Sequence, residues 1–226
     1  MTGNPEENRK KEQKRFFDSE GPAMTFLTKT GELIILSFLW FLCSLPVFTM
    51  GAASSALYCG VVKNIRRDRS SPAKEFFKAF KRNFRNATLI TIIVLVWGSA
   101  LARLIYIAIS MKNTQGSFLM RIYTVIAIIT VAVLIYLFPI VSRFSISVKE
   151  SIELAFVMAV KNIGYTVFFF FFSGFLVYLY IYYVPILTII ILPSLWAFLS
   201  SFLIEKAMRK YMPEPKEGDE FSWLYE

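Results

Sequence analysis

The chain has no histidine, and only two of its 226 residues are cysteine. The first absence removes the commonest metal ligand and the commonest general base. Cys43 and Cys59 fall in one apolar run, where they read as small apolar fillers; their spacing neither demands nor forbids a disulfide. Charge is scarce too, at 18% of residues, and no aspartate or glutamate lies inside any long apolar run. The usual carboxylates of proton or sodium coupling are therefore missing from those runs. No metal-ligand cluster, phosphate loop or nucleophile with a nearby base is present in the sequence. These absences argue against an enzyme, and no cofactor or metal site is expected.

What the chain does have is length without charge. Leu33 to Val62 is 30 residues with none, Ile122 to Ser142 is 21, and Asn162 to Ile204 is 43. Ala87 to Met111 is 25, interrupted only by Arg103. A helix crossing hydrocarbon needs about 20 apolar residues, so the expected fold is an all-α, polytopic transmembrane bundle. Residues 1–22 read as a disordered charged tail, 23–212 as the membrane domain and 213–226 as an acidic C-terminal tail. A cleaved signal peptide is not expected, since the first run is about twice the length of a signal h-region.

The net charge of +9 invites a nucleic-acid reading. The basic residues instead flank apolar spans, which is the pattern of cytoplasmic loops facing anionic lipid, and nucleic acid is excluded as a partner. The same bias bears on the first run, which holds Pro46, Thr49 and Gly51 near its middle. A hairpin turning at Pro46 to Thr49 places 22 basic residues inside and two outside, whereas a single crossing leaves 8 outside and 16 inside. The hairpin is preferred. A re-entrant dip gives the same topology, and a single crossing is the alternative. Ala87 to Met111 pairs with Ile122 to Ser142 through a short polar turn. The 43-residue run must fold back, with Pro185 as the turn. The expectation is five to six membrane helices arranged as hairpins, plus cytoplasmic interfacial helices, with both termini cytoplasmic in a plasma-membrane protein.

A weak repeat accompanies this layout. Phe77 precedes Arg82-Asn83 and a span, and Phe156 precedes Lys161-Asn162 and a span, at an offset of 79 residues. The first copy lies in the clearest amphipathic segment, Ser71 to Arg85. Ser71 can cap it and Pro72 suits its first turn. Ala73, Phe76, Phe77, Phe80 and Phe84 fall on one arc, opposite Lys74, Lys78, Lys81, Arg82 and Arg85. This is the pattern of a helix lying on anionic lipid, either as a topological anchor or as a docking surface. Arg103 is the one ionisable side chain well inside a run. It reads as snorkelling to the outer interface, or else as a contact for a substrate or partner. Gly51, Ala52, Ser54, Ser55 and Gly60 form a small-residue face suited to close helix packing, or to a broken-helix substrate site.

Two blocks resemble a known family. Gly31-Glu32-Leu33, Leu42-Cys43-Ser44-Leu45-Pro46, Thr49-Met50-Gly51 and Ala56-Leu57-Tyr58 form the first. Phe76-Phe77 with Phe80-Lys81-Arg82-Asn83-Phe84 forms the second. Together they resemble the YesL-like bacterial integral membrane proteins. That resemblance implies a short membrane protein encoded beside carbohydrate importers, glycan-degrading enzymes and two-component regulators, and it implies no defined activity. The expected role is a non-enzymatic, accessory or regulatory partner in carbohydrate uptake or sensing. Its partners would be anionic inner-leaflet lipids and a membrane protein such as a sugar importer or sensor kinase. A small uncoupled permease or channel is the alternative.

Overall fold

The computed structural model describes residues 22–65, 71–111, 113–144, 146–182 and 185–211. The expected tails lie outside these residues, except that Pro22 opens the first helix. Every regular element among the described residues is helical. Helix α1 is Pro22–Ser44 and α2 is Met50–Gly60, which runs on as a π-helix over Val61–Ile65. Then follow α3 (Pro72–Ser110), α4 (Thr114–Arg143), α5 (Val148–Lys161), α6 (Ile163–Tyr182) and α7 (Pro185–Met208), with a closing 3-10 turn at Arg209–Tyr211.

The first apolar run is a hairpin. Proline disfavours helix in the residue before it, and α1 stops two residues short of Pro46. The chain reverses through a 3-10 turn, Val47–Thr49. The Thr49 hydroxyl lies 2.6 Å from the Cys43 carbonyl and 2.7 Å from that of Pro46, tying the turn to the end of α1. Farther down the arms, Trp40 Nε1 donates to Ser54 Oγ at 3.1 Å, and Leu36 packs on Gly60. These contacts align α1 and α2 antiparallel.

The second arm is the centre of the molecule. Helix α2 touches α1, α3, α4 and α7, and nine of its eleven residues are buried. Lipid tails are as apolar as leucine, so close packing rather than water exclusion must hold such a helix. Gly51 shows how: a Cβ there would meet Thr91 and the Ala87 carbonyl of α3, and Phe138 of α4.

Helices α3 and α4 form the second hairpin. The Asn113 side chain caps α4 by accepting from Gly116 N at 2.7 Å. Trp97 Nε1 donates to Thr130 Oγ1 at 3.2 Å, and Arg82 Nη2 to the Ser142 carbonyl at 3.0 Å. Helix α5 starts at a capping box formed by Ser147 and Glu150. At Asn162 the axis bends by 94° into α6. Helices α6 and α7 form the third hairpin, with Trp196 Nε1 donating to Ser173 Oγ at 3.1 Å.

Three expectations can be set against the helices. Four described helical segments are each long and apolar enough to cross a membrane: Met24–Ser44, Pro72–Ser110, Thr114–Arg143 and Ile191–Tyr211. The bent pair α5 and α6 raises the total to five, within the five to six expected; α2, at 11 residues plus five of π-helix, is the shorter return arm of the first hairpin. Secondly, the amphipathic segment Ser71 to Arg85 is not a separate helix. It runs unbroken into the following span as one helix of 39 residues, since nothing between Arg85 and Ala87 breaks a helix. At 1.5 Å per residue that is about 58 Å, nearly twice the hydrocarbon thickness of about 30 Å. Lastly, the two copies of the sequence repeat differ, being continuous at Asn83 and sharply bent at Asn162.

Candidate functional site

The buried polar groups concentrate where the three hairpins meet. Tyr58 of α2 donates its hydroxyl to Glu205 Oε1 of α7 at 3.1 Å. Arg143, the last residue of α4, donates from Nε to the same oxygen at 2.9 Å. All three are deeply buried, with Glu205 at 3% exposure and Arg143 at 7%. One carboxylate thus joins α2, α4 and α7.

The network extends to α3. Arg82 reaches the carbonyl of Ser142, the neighbour of Arg143, and also bonds Asn83 Oδ1 at 3.3 Å. Asn83 and Ser142 are buried, and Asn83 Nδ2 and Ser142 Oγ find no hydrogen-bond partner among the described residues. Nearby, Lys63 in the π-helix pairs with the buried Glu75 of α3 at 2.7 Å. π-helical turns recur at functional sites. A polar layer of this kind is costly in an apolar interior unless it is well satisfied. Its bonds between α2, α3, α4 and α7 fix which hairpin faces which.

Glu205 overturns one premise drawn from the sequence. The uncharged runs hold no acidic group, yet Glu205 lies within the apolar segment Ile191–Tyr211, and Glu32 within Met24–Ser44. The helices do not end where the uncharged runs end. The lack of a carboxylate is therefore no argument against ion coupling in this chain. Arg143 and Glu205 each stand one residue beyond an uncharged run, where in sequence a charge counts as part of a loop. The available signal was their shared position, a basic and an acidic residue each closing a run.

The residues singled out in the sequence are distributed as follows. Pro46, Thr49 and Gly51 come together at the α1–α2 reversal. Phe76 is fully buried and Phe80 partly buried, both in the core with α1 and α2, while Phe77 and Phe84 stay 51% and 40% exposed. The aromatic arc is thus divided between the protein interior and the surroundings. Phe76 and Phe80 stack with ring centres 6.2 Å apart. Lys81 and Arg82 lie on the exposed side with Lys74, Lys78 and Arg85. Arg103 is exposed on α3, seven residues before its end, about 10 Å along the axis. It joins neither the polar layer nor the turn.

Comparison with known proteins finds two similarities. Residues 33–103 match the family described as "Protein of unknown function, DUF624". The chain is also 27% identical over 138 residues to the "Uncharacterized protein YesL" of Bacillus subtilis (strain 168). That match covers 59% of this chain and 65% of the relative's length. No solved structure matches the chain. The family match takes in the α1–α2 turn and the basic stretch of α3, and ends before Arg143 and Glu205.

Proposed function

We propose that this chain, being a YesL-like multi-pass membrane protein, acts as a non-enzymatic accessory or regulatory partner in carbohydrate uptake or sensing at the bacterial cell membrane, with its termini cytoplasmic. The observation that carries the reading is the length and surface of α3. The helix exceeds the hydrocarbon by nearly its own half, and the surplus belongs to its basic end. There Lys74, Lys78, Lys81, Arg82 and Arg85 are exposed beside Phe77 and Phe84. Such a surface suits the anionic inner leaflet and an acidic face of a membrane partner, such as a sugar importer or sensor kinase. The carbohydrate setting comes from the family resemblance alone.

The test is a photo-crosslinking residue at Phe77 or Lys81, activated in native membranes. The expected result is one discrete protein adduct from a sugar-transport or sensing complex, lost when Lys74, Lys78 and Lys81 become Glu. Adducts with lipid alone, unchanged by that charge reversal, would overturn the partner reading. The permease is kept as a second reading because hydroxyls and a carboxylate face each other across helices, as in Ser37 to Ser194 at 2.7 Å and Tyr58 to Glu205. Sugar efflux from liposomes holding only the purified protein would favour it.

A further inference from the structure

A half-open cleft of about 300 Å³ lies between α1–α2 on one side and α4 and α7 on the other. Trp40, Leu57, Tyr58, Phe138, Pro193 and Trp196 are among its walls. Two helices enter it at internal prolines, Pro139 of α4 and Pro193 of α7. A proline inside a helix removes one ladder bond, and both prolines line the cleft. The volume is about twice the roughly 150 Å³ of an apolar cavity that holds benzene.

The chemistry of the walls selects the occupant. Every polar side chain in the lining is engaged. Trp40 Nε1 is on Ser54, Ser54 Oγ donates to the Met50 carbonyl at 2.8 Å, Trp196 Nε1 is on Ser173, and the Tyr58 hydroxyl is on Glu205. A sugar or an ion entering here would surrender its hydration with nothing offered in return. All lining residues come from the uncharged runs 33–62, 122–142 and 162–204, so the cleft sits at the depth of the hydrocarbon. The adjacent outer face of α1 exposes Ile34, Ile35, Phe38 and Phe41, an apolar approach from the bilayer.

We infer that this cleft is a binding site for one hydrocarbon chain of a membrane lipid, held against Trp40 and Trp196. Because Tyr58 forms part of the wall and also holds Glu205, the bound chain sits directly on the joint between the hairpins. The inference is independent of the carbohydrate role.

The test uses full-length protein in phosphatidylcholine–phosphatidylglycerol vesicles containing phosphatidylcholine with a mid-chain diazirine. After irradiation, adducts are expected to concentrate on Leu57, Phe138 and Trp196 and to saturate with unlabelled lipid. Labelling of Ile34 and Phe38, on the open face of α1, is expected to stay unsaturated. Ala197→Phe, and separately Leu134→Trp, fill the cleft and should abolish the first set of adducts while leaving the second. Should neither variant fold, the native cleft is read by fluorescence with Trp97 and Trp223 replaced by Phe: mid-chain brominated lipid should quench the remaining tryptophans and iodide should not. Cleft adducts no stronger than those on α1, adducts that survive filling, or quenching by iodide would each overturn the site.

Discussion

A single carboxylate oxygen, Glu205 Oε1, receives both the Tyr58 hydroxyl and the Arg143 guanidinium. Removing one partner of such a pair leaves a buried, uncompensated charge, which costs about 3–5 kcal/mol. Glu205→Gln is therefore expected to lower the midpoint of thermal unfolding in detergent strongly. Replacing both members with Met should return stability to near the native value, because a buried pair often only balances its own desolvation. Tyr58→Phe removes a bond to a charged group and should cost about 1.5–3 kcal/mol. The exposed pair of Lys149 with Glu153 in α5, at 3.7 Å, is the control, and Glu153→Ala should change stability by less than about 1 kcal/mol. A double Met variant as unstable as Glu205→Gln would show that the ion pair itself contributes net stability to the joint, and would contradict this reading.

Among the elements, α2 depends most on fit. Any side chain at Gly51 runs into Thr91, Phe138 and the Ala87 carbonyl. Gly51→Ala is expected to cost about 1–3 kcal/mol through overpacking. Gly98 in α3 has nothing within 4 Å of a Cβ, so Gly98→Ala should be neutral or stabilising by up to about 1 kcal/mol. The same contrast runs along α3. Phe76 is fully buried, and Phe76→Ala should cost about 3–5 kcal/mol in detergent. Phe77 is half exposed, and Phe77→Ala should cost no more than about 0.5 kcal/mol there. Equal losses at the two positions would contradict the division of the aromatic arc.

At the scale of the whole molecule, three hairpins stand with their open ends on one side and their polar joint beside those ends. The membrane character was legible in the sequence because hydrocarbon thickness fixes run length, and Leu33 to Val62 and Asn162 to Ile204 exceed it plainly. The α1–α2 reversal was legible because Pro46 interrupts a run whose two flanks are both basic. The continuity of α3 was not, since its basic-aromatic start and apolar remainder differ in composition with no breaker between them. The polar joint was hidden for another reason: Arg143 and Glu205 are separated by 62 positions, and only the fold makes two run-ending charges into one buried pair. The bend at Asn162 falls where the last uncharged run begins, at the expected junction of an interfacial helix with a span, and Gly164 follows closely.

Sidedness labelling tests the common direction of the hairpins most directly. In a background with Cys43 and Cys59 replaced by Ala, single cysteines at Lys29, Lys74, Gln115, Lys149 and Lys206 are exposed to a membrane-impermeant maleimide on intact cells. The positive-inside pattern and the antiparallel pairing of α1 with α2 and of α3 with α4 predict that position 115 alone is labelled from outside, the other four reacting only after permeabilisation. Labelling of position 29 from outside, with position 74 protected, would mean that residues 33–62 cross the membrane once, and would contradict the account.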